Sequence, residues 1–138
     1  MIILDTNVLS ELMLKIPDPG VLDWLDQQPR ASIWTTSVTV LEVRFGIQIL
    51  EHSRRRAALG EAFEQLLARM GHRIAAFDAA AADHAGDLMA ARHKKGRPGE
   101  FRDTMIAGIV IAQHATLATR NVEHFKDAAI PLVNPWAL

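Results

Sequence analysis

Short apolar runs that end in a polar or charged residue alternate along this chain with longer stretches of helical period. Ile2-Ile3-Leu4-Asp5 is the first such run, and Val8, Leu9, Leu12 and Met13 follow it at helical spacing. The pattern predicts a strand over about residues 1–5 and a helix over roughly 7–14. Pro17-Asp18-Pro19-Gly20 breaks the chain. Asp18 then caps a short helix with Pro19 in its first turn and Val21, Leu22, Trp24 and Leu25 as its apolar face, and Pro29 ends it. Residues 32–36 read as a second strand, and Ser37 as the cap of a helix carrying Val38, Leu41, Phe45 and Leu50. A further helix is expected over roughly 53–70, with Leu59, Phe63, Leu66, Leu67 and Met70 on one face. Residues 74–77 form a short third strand, and Asp78 caps the Ala-rich helix after it.

Lys94 to Gly99 is a loop, and an apolar helix runs from about Arg102 to His114. Residues 116–119 are a fourth strand. Residues 130–133 are a fifth, placed at an edge because Pro131 cannot donate to a central ladder. Strands alternating with helices imply parallel pairing with right-handed crossovers, an α/β/α sandwich in one domain spanning 1–138. There is no internal repeat.

Composition narrows the chemistry. The 15 basic and 16 acidic residues nearly cancel, which argues against a simple nucleic-acid-coating protein and leaves room for a local basic patch. There is no cysteine, so disulfides, zinc–thiolate sites and thiol nucleophiles are excluded. A carboxylate interrupts the N-terminal apolar run, unlike a signal peptide, and no apolar run approaches the roughly 20 residues that span a bilayer. A cytoplasmic protein without a membrane association is the expectation.

Three acidic residues lie in apolar neighbourhoods: Asp5 at the first strand end, Glu42 within Val38-Thr39-Val40-Leu41-Glu42-Val43, and Asp103 at the start of the most apolar helix. Taken singly, each has a bland reading. Asp5 and Asp103 serve as helix caps, and Glu42 gains from a helix dipole. Taken together at the carboxyl ends of the strands, they form a cluster. Two like charges about 4 Å apart cost ~4 kcal/mol at an effective dielectric near 20, so such a cluster needs a cation. Oxygen ligands without cysteine select a hard ion, Mg²⁺ or Mn²⁺. Such an ion suits metal-assisted phosphodiester hydrolysis.

Five ordered motifs then carry a resemblance. Ile3-Leu4-Asp5-Thr6-Asn7-Val8-Leu9, the segment from Thr36 to Gly46 with Glu42, Phe101-Arg102-Asp103-Thr104-Met105-Ile106-Ala107, Thr119-Arg120-Asn121-Val122-Glu123-His124-Phe125, and Asn134-Pro135-Trp136 resemble the motifs of PIN-domain nucleases. The match covers the whole chain. It is most similar to the VapC/FitB group of toxin ribonucleases from bacterial toxin–antitoxin pairs. The resemblance implies a PIN-like three-layer α/β/α sandwich with a short, mostly parallel sheet of four to five strands. It implies a catalytic set of Asp5, Glu42, Asp103 and Asn121, with Asp5 and Asp103 as ligands of Mg²⁺ (Mn²⁺ as substitute). Thr6, Asn7 and Thr119 support the strand ends. Asn121 stands where family members often carry an acidic residue. It leaves one charge fewer for a second metal, so a single tightly held Mg²⁺ is expected, with Glu123 as a substitute acid.

Basic residues cluster at Arg54-Arg55-Arg56, read as solvated surface, and at Arg92-His93-Lys94-Lys95-Gly96-Arg97. Lys94, Lys95 and Arg97 are expected to steer phosphate toward the site. Arg102 is placed to screen the acidic cluster. No aromatic is interleaved with these cations and there is no tyrosine, so base stacking is not evident. His93, His114 and His124 receive no catalytic role. Leu9, Leu12, Met13, Leu14, Ile16, Ile47, Ile49 and Leu50 exceed what one core face needs. The resemblance assigns the surplus to a homodimer and to a groove for a cognate small antitoxin, giving a heterotetramer or larger with the antitoxin. The competing reading makes these residues core alone. A PIN fold that binds RNA without cutting, or a DNA or structure-specific nuclease without a toxin role, is the functional alternative.

Overall fold

The computed structural model describes all residues from Met1 to Leu138. Five parallel strands run in the order β3-β2-β1-β4-β5: β1 Ile2–Leu4, β2 Ile33–Thr36, β3 Ile74–Ala75, β4 Thr116–Ala118 and β5 Leu132–Val133. The helices are α1 Thr6–Leu12, α2 Pro19–Asp26, α3 Ser37–Gln48, α4 Arg54–Arg69, α5 Ala79–Lys94 and α6 Phe101–Ala112. Side-chain alternation along the central strands splits the core in two. Ile3 and Leu117 join Ile106, Ile109, Val110 and Phe125 on the face covered by α5 and α6. Leu4 and Ala118 join Val8, Leu9, Val21, Phe63 and Leu67 on the face covered by α1, α2 and α4. This is the three-layer α/β/α sandwich expected. β5 lies at an edge, with Pro131 just outside it.

The differences are local. The strands are short, and β1 and β2 pass almost directly into α1 and α3 at the rim. Ser37 is the first helical residue of α3, not its cap: Thr36 caps, accepting the Thr39 N–H at 3.0 Å, while the Ser37 hydroxyl accepts from the Phe77 N–H. Residues 122–128 form a 3-10 segment, Val122–Ala128, where no element was expected. Leu9 and Ile47 are buried core, so the surplus apolar surface is confined to Leu14, Ile16 and Ile49, joined by Leu41, Phe45 and Phe101.

The α5–α6 contact depends on Gly108. A Cβ there would stand 2.4 Å from the Ala81 carbonyl oxygen and 2.8 Å from Ala85 Cβ. Both neighbours are fixed by helix geometry and cannot give way. Gly108→Ala is therefore expected to lower stability by about 1–3 kcal/mol, although alanine is the better helix former. Urea unfolding monitored by circular dichroism checks this. An unchanged midpoint would contradict the close packing.

Candidate active site

β1 ends at Leu4, and Asp5 is carried to the carboxyl edge of the sheet, held by its own N–H on the Ala118 carbonyl. It is 3% exposed. Its two oxygens are both engaged. Oδ1 accepts the Thr6 N–H at 2.8 Å, and Oδ2 accepts the Thr119 hydroxyl at 2.7 Å and the Asn7 amide at 3.4 Å.

Asp5 stands at the N-cap position of α1, but its bonding differs from that of the other caps. An N-cap side chain serves the second or third helical N–H. Asp18, Thr36, Ser53, Asp78 and Glu100 all do so in this chain. Asp5 reaches only the first, and its other oxygen points across to β4. Burial, with the charges of Asp103 and Glu42 adding to it, overcomes those hydrogen bonds and pushes the carboxyl up to about 6. Thr6 joins two of the carboxylates, donating its N–H to Asp5 and its hydroxyl to Glu42, and the charge of Asp103 also acts on Asp5.

Glu42 lies beyond the first turn of α3, so the helix dipole does not explain it. Its Oε1 accepts the Thr6 hydroxyl at 2.8 Å, and Thr6 also reaches the Thr39 hydroxyl at 3.1 Å. Its Oε2 faces the Arg102 guanidinium at 3.8 Å. Arg102 thus supplies the screening expected of it, shared with Glu100 at 3.2 Å. Asp103 sits in the first turn of α6, where the helix N-terminus favours its charge.

Thr119 is the hub of the remaining polar groups. Its hydroxyl donates to Asp5 and accepts from the Asn121 N–H at 3.0 Å and from Asn7 Nδ2 at 3.3 Å. The Asn7 carbonyl oxygen accepts the Arg120 N–H at 3.1 Å, tying β1 to the segment after β4. Asn121 is exposed, and no hydrogen bond engages its side-chain amide. Glu123, the sequence-level substitute, is paired with Lys126 at 2.5 Å.

Two site features escaped the sequence. His124 Nδ1 lies 3.0 Å from Asp103 Oδ2, across 21 residues of chain. Arg92, grouped by sequence with the phosphate-steering cations, is instead 3% exposed. Its guanidinium holds both Asp127 oxygens at 2.8 and 2.9 Å, the His124 carbonyl at 2.9 Å and the Thr104 hydroxyl at 2.8 Å. It pins the 3-10 segment to α5 and α6. Lys94, Lys95 and Arg97 are exposed at and after the end of α5, with the Arg97 N–H on the Arg92 carbonyl. They make no contact with the acidic cluster.

If Asp103 holds a metal ion, the His124 ring is the group that orients its carboxylate. His124→Ala is expected to lower metal affinity about 10–100-fold, the usual effect of removing a ligand's hydrogen-bond partner. Asn, whose amide nitrogen occupies the Nδ1 position, should rescue better than Gln. Calorimetric Mn²⁺ titration distinguishes them, and equal behaviour of Asn and Ala would remove the assignment.

The donor set fits a hard divalent cation. All candidate ligands are oxygens, three carboxylates share one rim, and the charge at Asp5 is unfavourable without a counter-ion. The side chains do not form a ready three-ligand cage. Each carboxylate already has partners in the protein: Asp5 has Thr6, Thr119 and Asn7, Glu42 has Thr6 and Arg102, and Asp103 has His124.

Fold and rim together define a single α/β/α domain with an acidic centre of the nuclease kind. The family described as PIN domain matches residues 2–131. The chain belongs to the PIN-domain family of nucleases. Among its relatives, a VapC ribonuclease of Sinorhizobium fredii is 35% identical, covering 99% of this chain and 98% of the relative. The toxin FitB of Neisseria gonorrhoeae is 31% identical, covering 99% of both chains. A crystal structure of FitAcB from Neisseria gonorrhoeae superposes with a TM-score of 0.90 at 32% identity, covering 100% of both chains. No helix is long and apolar enough to cross a membrane.

Proposed function

We propose that this protein is a Mg²⁺-dependent endoribonuclease and the toxin of a toxin–antitoxin pair. The observation that carries the reading is the buried Asp5 carboxyl, pushed up to about 6 and joined electrostatically by Asp103 and Glu42 at the carboxyl ends of the strands. Its relatives include a VapC ribonuclease and the toxin FitB.

Asp5 and Asp103 would hold the Mg²⁺, with Mn²⁺ as a substitute. When bound, the ion supplies Lewis acidity and neutralises charge on the scissile phosphate. Thr119 and Thr6 fix the two Asp5 oxygens, so the carboxylate does not rotate. Glu42, held by the Thr6 hydroxyl, is placed to accept a proton from an attacking water. Asn121 offers a neutral amide oxygen to orient that water or the phosphate. Hydrolysis consumes one water: its oxygen bonds to phosphorus, the ester P–O bond breaks, and the leaving oxygen takes a proton. With Asn121 neutral, the residues present would hold one ion tightly and would leave a second to be recruited by substrate phosphate. Lys94, Lys95 and Arg97 attract the RNA from the α5 side.

For the antitoxin, the groove of about 420 Å³ between α1, α2 and α4 is the seat we assign. Leu12, Leu22, Leu25 and Met70 line it, with Arg30 and Arg69 at its rim. It fits an amphipathic helix with an apolar face and acidic flanks. A homodimer, and a heterotetramer or larger with the antitoxin, follows the family pattern.

The test is incubation of purified protein and Mg²⁺ with tRNA, mRNA and DNA. Cleavage of an RNA class and not of DNA is expected. Cleavage of DNA alone, or of nothing, would overturn the reading.

A further inference from the structure

Three arginines border the acidic centre, and two are already engaged. Arg92 is buried on Asp127, Thr104 and the His124 carbonyl. Arg102 is shared between Glu42 and Glu100. Arg120 differs from both. It is exposed, and its guanidinium has neither an ion pair nor a hydrogen bond; its only contact of note is the Trp136 ring, with Cζ 5.0 Å from the centroid. Its backbone is fixed at the site, because its N–H donates to Asn7 and the preceding Thr119 donates to Asp5.

Trp136 is itself held in place. Its N–H donates to the Asn134 side chain at 3.0 Å, and its ring packs against the core beneath α1, α2 and α4. The ring therefore acts as a fixed floor. A guanidinium lying on an aromatic face loses little further freedom on binding, and its donors remain open to solvent. An arginine in that state suits a phosphodiester, which it can grip with two parallel N–H bonds. A nucleobase can stack on the planar guanidinium or on the Trp136 edge beside it. The sequence alone hid this pairing of cation and aromatic, since sixteen residues separate the two partners.

We propose that Arg120, seated on Trp136, is a substrate subsite for single-stranded RNA: it takes the phosphate next to the scissile one, with the adjoining base stacked at the pair. The subsite explains how an anionic polymer is held against a rim of three carboxylates. It also places a positive contact directly after β4, beside the Thr119 that bonds Asp5. This proposal rests on the ribonuclease reading.

The test uses a fluorescein-labelled single-stranded RNA in EDTA, so that binding is measured without cleavage, across a series of salt concentrations. Arg120→Ala is expected to weaken binding roughly tenfold and to reduce the slope of log K against log salt by about 0.7, the value of one single-strand phosphate contact. Arg120→Lys should keep the slope and lose part of the affinity, because a point charge replaces the fork. Trp136→Phe should bind better than Trp136→Leu, which removes the ring. Thermal melting confirms that each variant is folded; Arg120→Ala keeps the backbone N–H that Asn7 uses, so its fold is protected. Unchanged affinity and slope in Arg120→Ala would overturn the proposal while leaving the ribonuclease reading intact. Wild-type protein that bound no RNA at any salt concentration would also overturn the proposal, and the ribonuclease reading would still stand or fall on cleavage in Mg²⁺.

Discussion

Asp5→Asn is expected to abolish hydrolysis and, in metal-free protein, to make the fold more stable. The two effects share one cause. Asp5 is buried at the site, its carboxyl is pushed up to about 6, and Asp103 and Glu42 repel its charge. In the unfolded chain the same group titrates near 3.8. Below pH 4 it is neutral in both states and exerts no effect. Between about 4 and 6 the unfolded chain releases the proton while the folded one retains it, so stability falls as pH rises. Above 6 the folded protein carries the full penalty, about 3 kcal/mol for a shift of this size. Asn removes the charge but pairs less well with the Thr119 hydroxyl, so a net gain of about 1–3 kcal/mol at pH 7 is expected. Activity should drop roughly 10³-fold, since losing one preorganised charge contact costs about 3–4 kcal/mol in the transition state. Urea midpoints in EDTA from pH 4 to 8 check the stability. Wild type should decline across the lower half of that range and the variant should stay level. Added Mg²⁺ should raise the wild-type midpoint alone.

Arg92→Leu is expected to do the reverse. The side chain is 4% exposed and its guanidinium makes four hydrogen bonds to three groups, so its removal leaves the Thr104 hydroxyl and the His124 carbonyl without their donor. Breaking a buried pair costs about 3–5 kcal/mol, and the partly open Asp127 places this one near the lower end. The Arg92 hydrogen bonds hold the Asp127 carboxyl below its ordinary range. That contribution is fully present above pH 4 and is lost as pH falls through the lowered folded value. Wild type and Arg92→Leu should therefore differ less in acid than at neutral pH, the remaining difference coming from the Thr104 and His124 bonds. The 3-10 segment that Arg92 anchors carries His124, so Mn²⁺ affinity should fall as well. Asp127→Asn, which leaves the Thr104 and His124 bonds in place, should show a smaller loss of both.

The parts of the fold that sequence made legible are those governed by local rules. Caps at Asp18 and Asp78 stand where side-chain chemistry and helical period put them. The edge position of β5 followed from a missing N–H. Thr36 displaced Ser37 as a cap because both residues can accept, and only the tertiary contact with Phe77 decides which one is free. The site was legible as a set of strand-end and helix-start carboxylates. Its internal wiring was not. Thr6 to Glu42, His124 to Asp103, Arg102 to Glu42 and Arg120 to Trp136 are all contacts between elements brought together by the sheet order. No periodicity encodes such contacts. Arg92 was misplaced for a related reason. A cation inside a run of exposed lysines reads as surface until Asp127 and Thr104 arrive from two other elements to bury it.

The central claim is that Asp5, Glu42 and Asp103 form one metal-dependent centre that cuts RNA. The most direct measurement is the initial rate of cleavage of a defined RNA by wild type, Asp5→Asn and Asp103→Asn, each with Mg²⁺ and with EDTA. Wild type should cleave in Mg²⁺ and not in EDTA, and both variants should fail to cleave under either condition. Cleavage by Asp5→Asn at the wild-type rate, or a wild-type rate indifferent to EDTA, would contradict the claim.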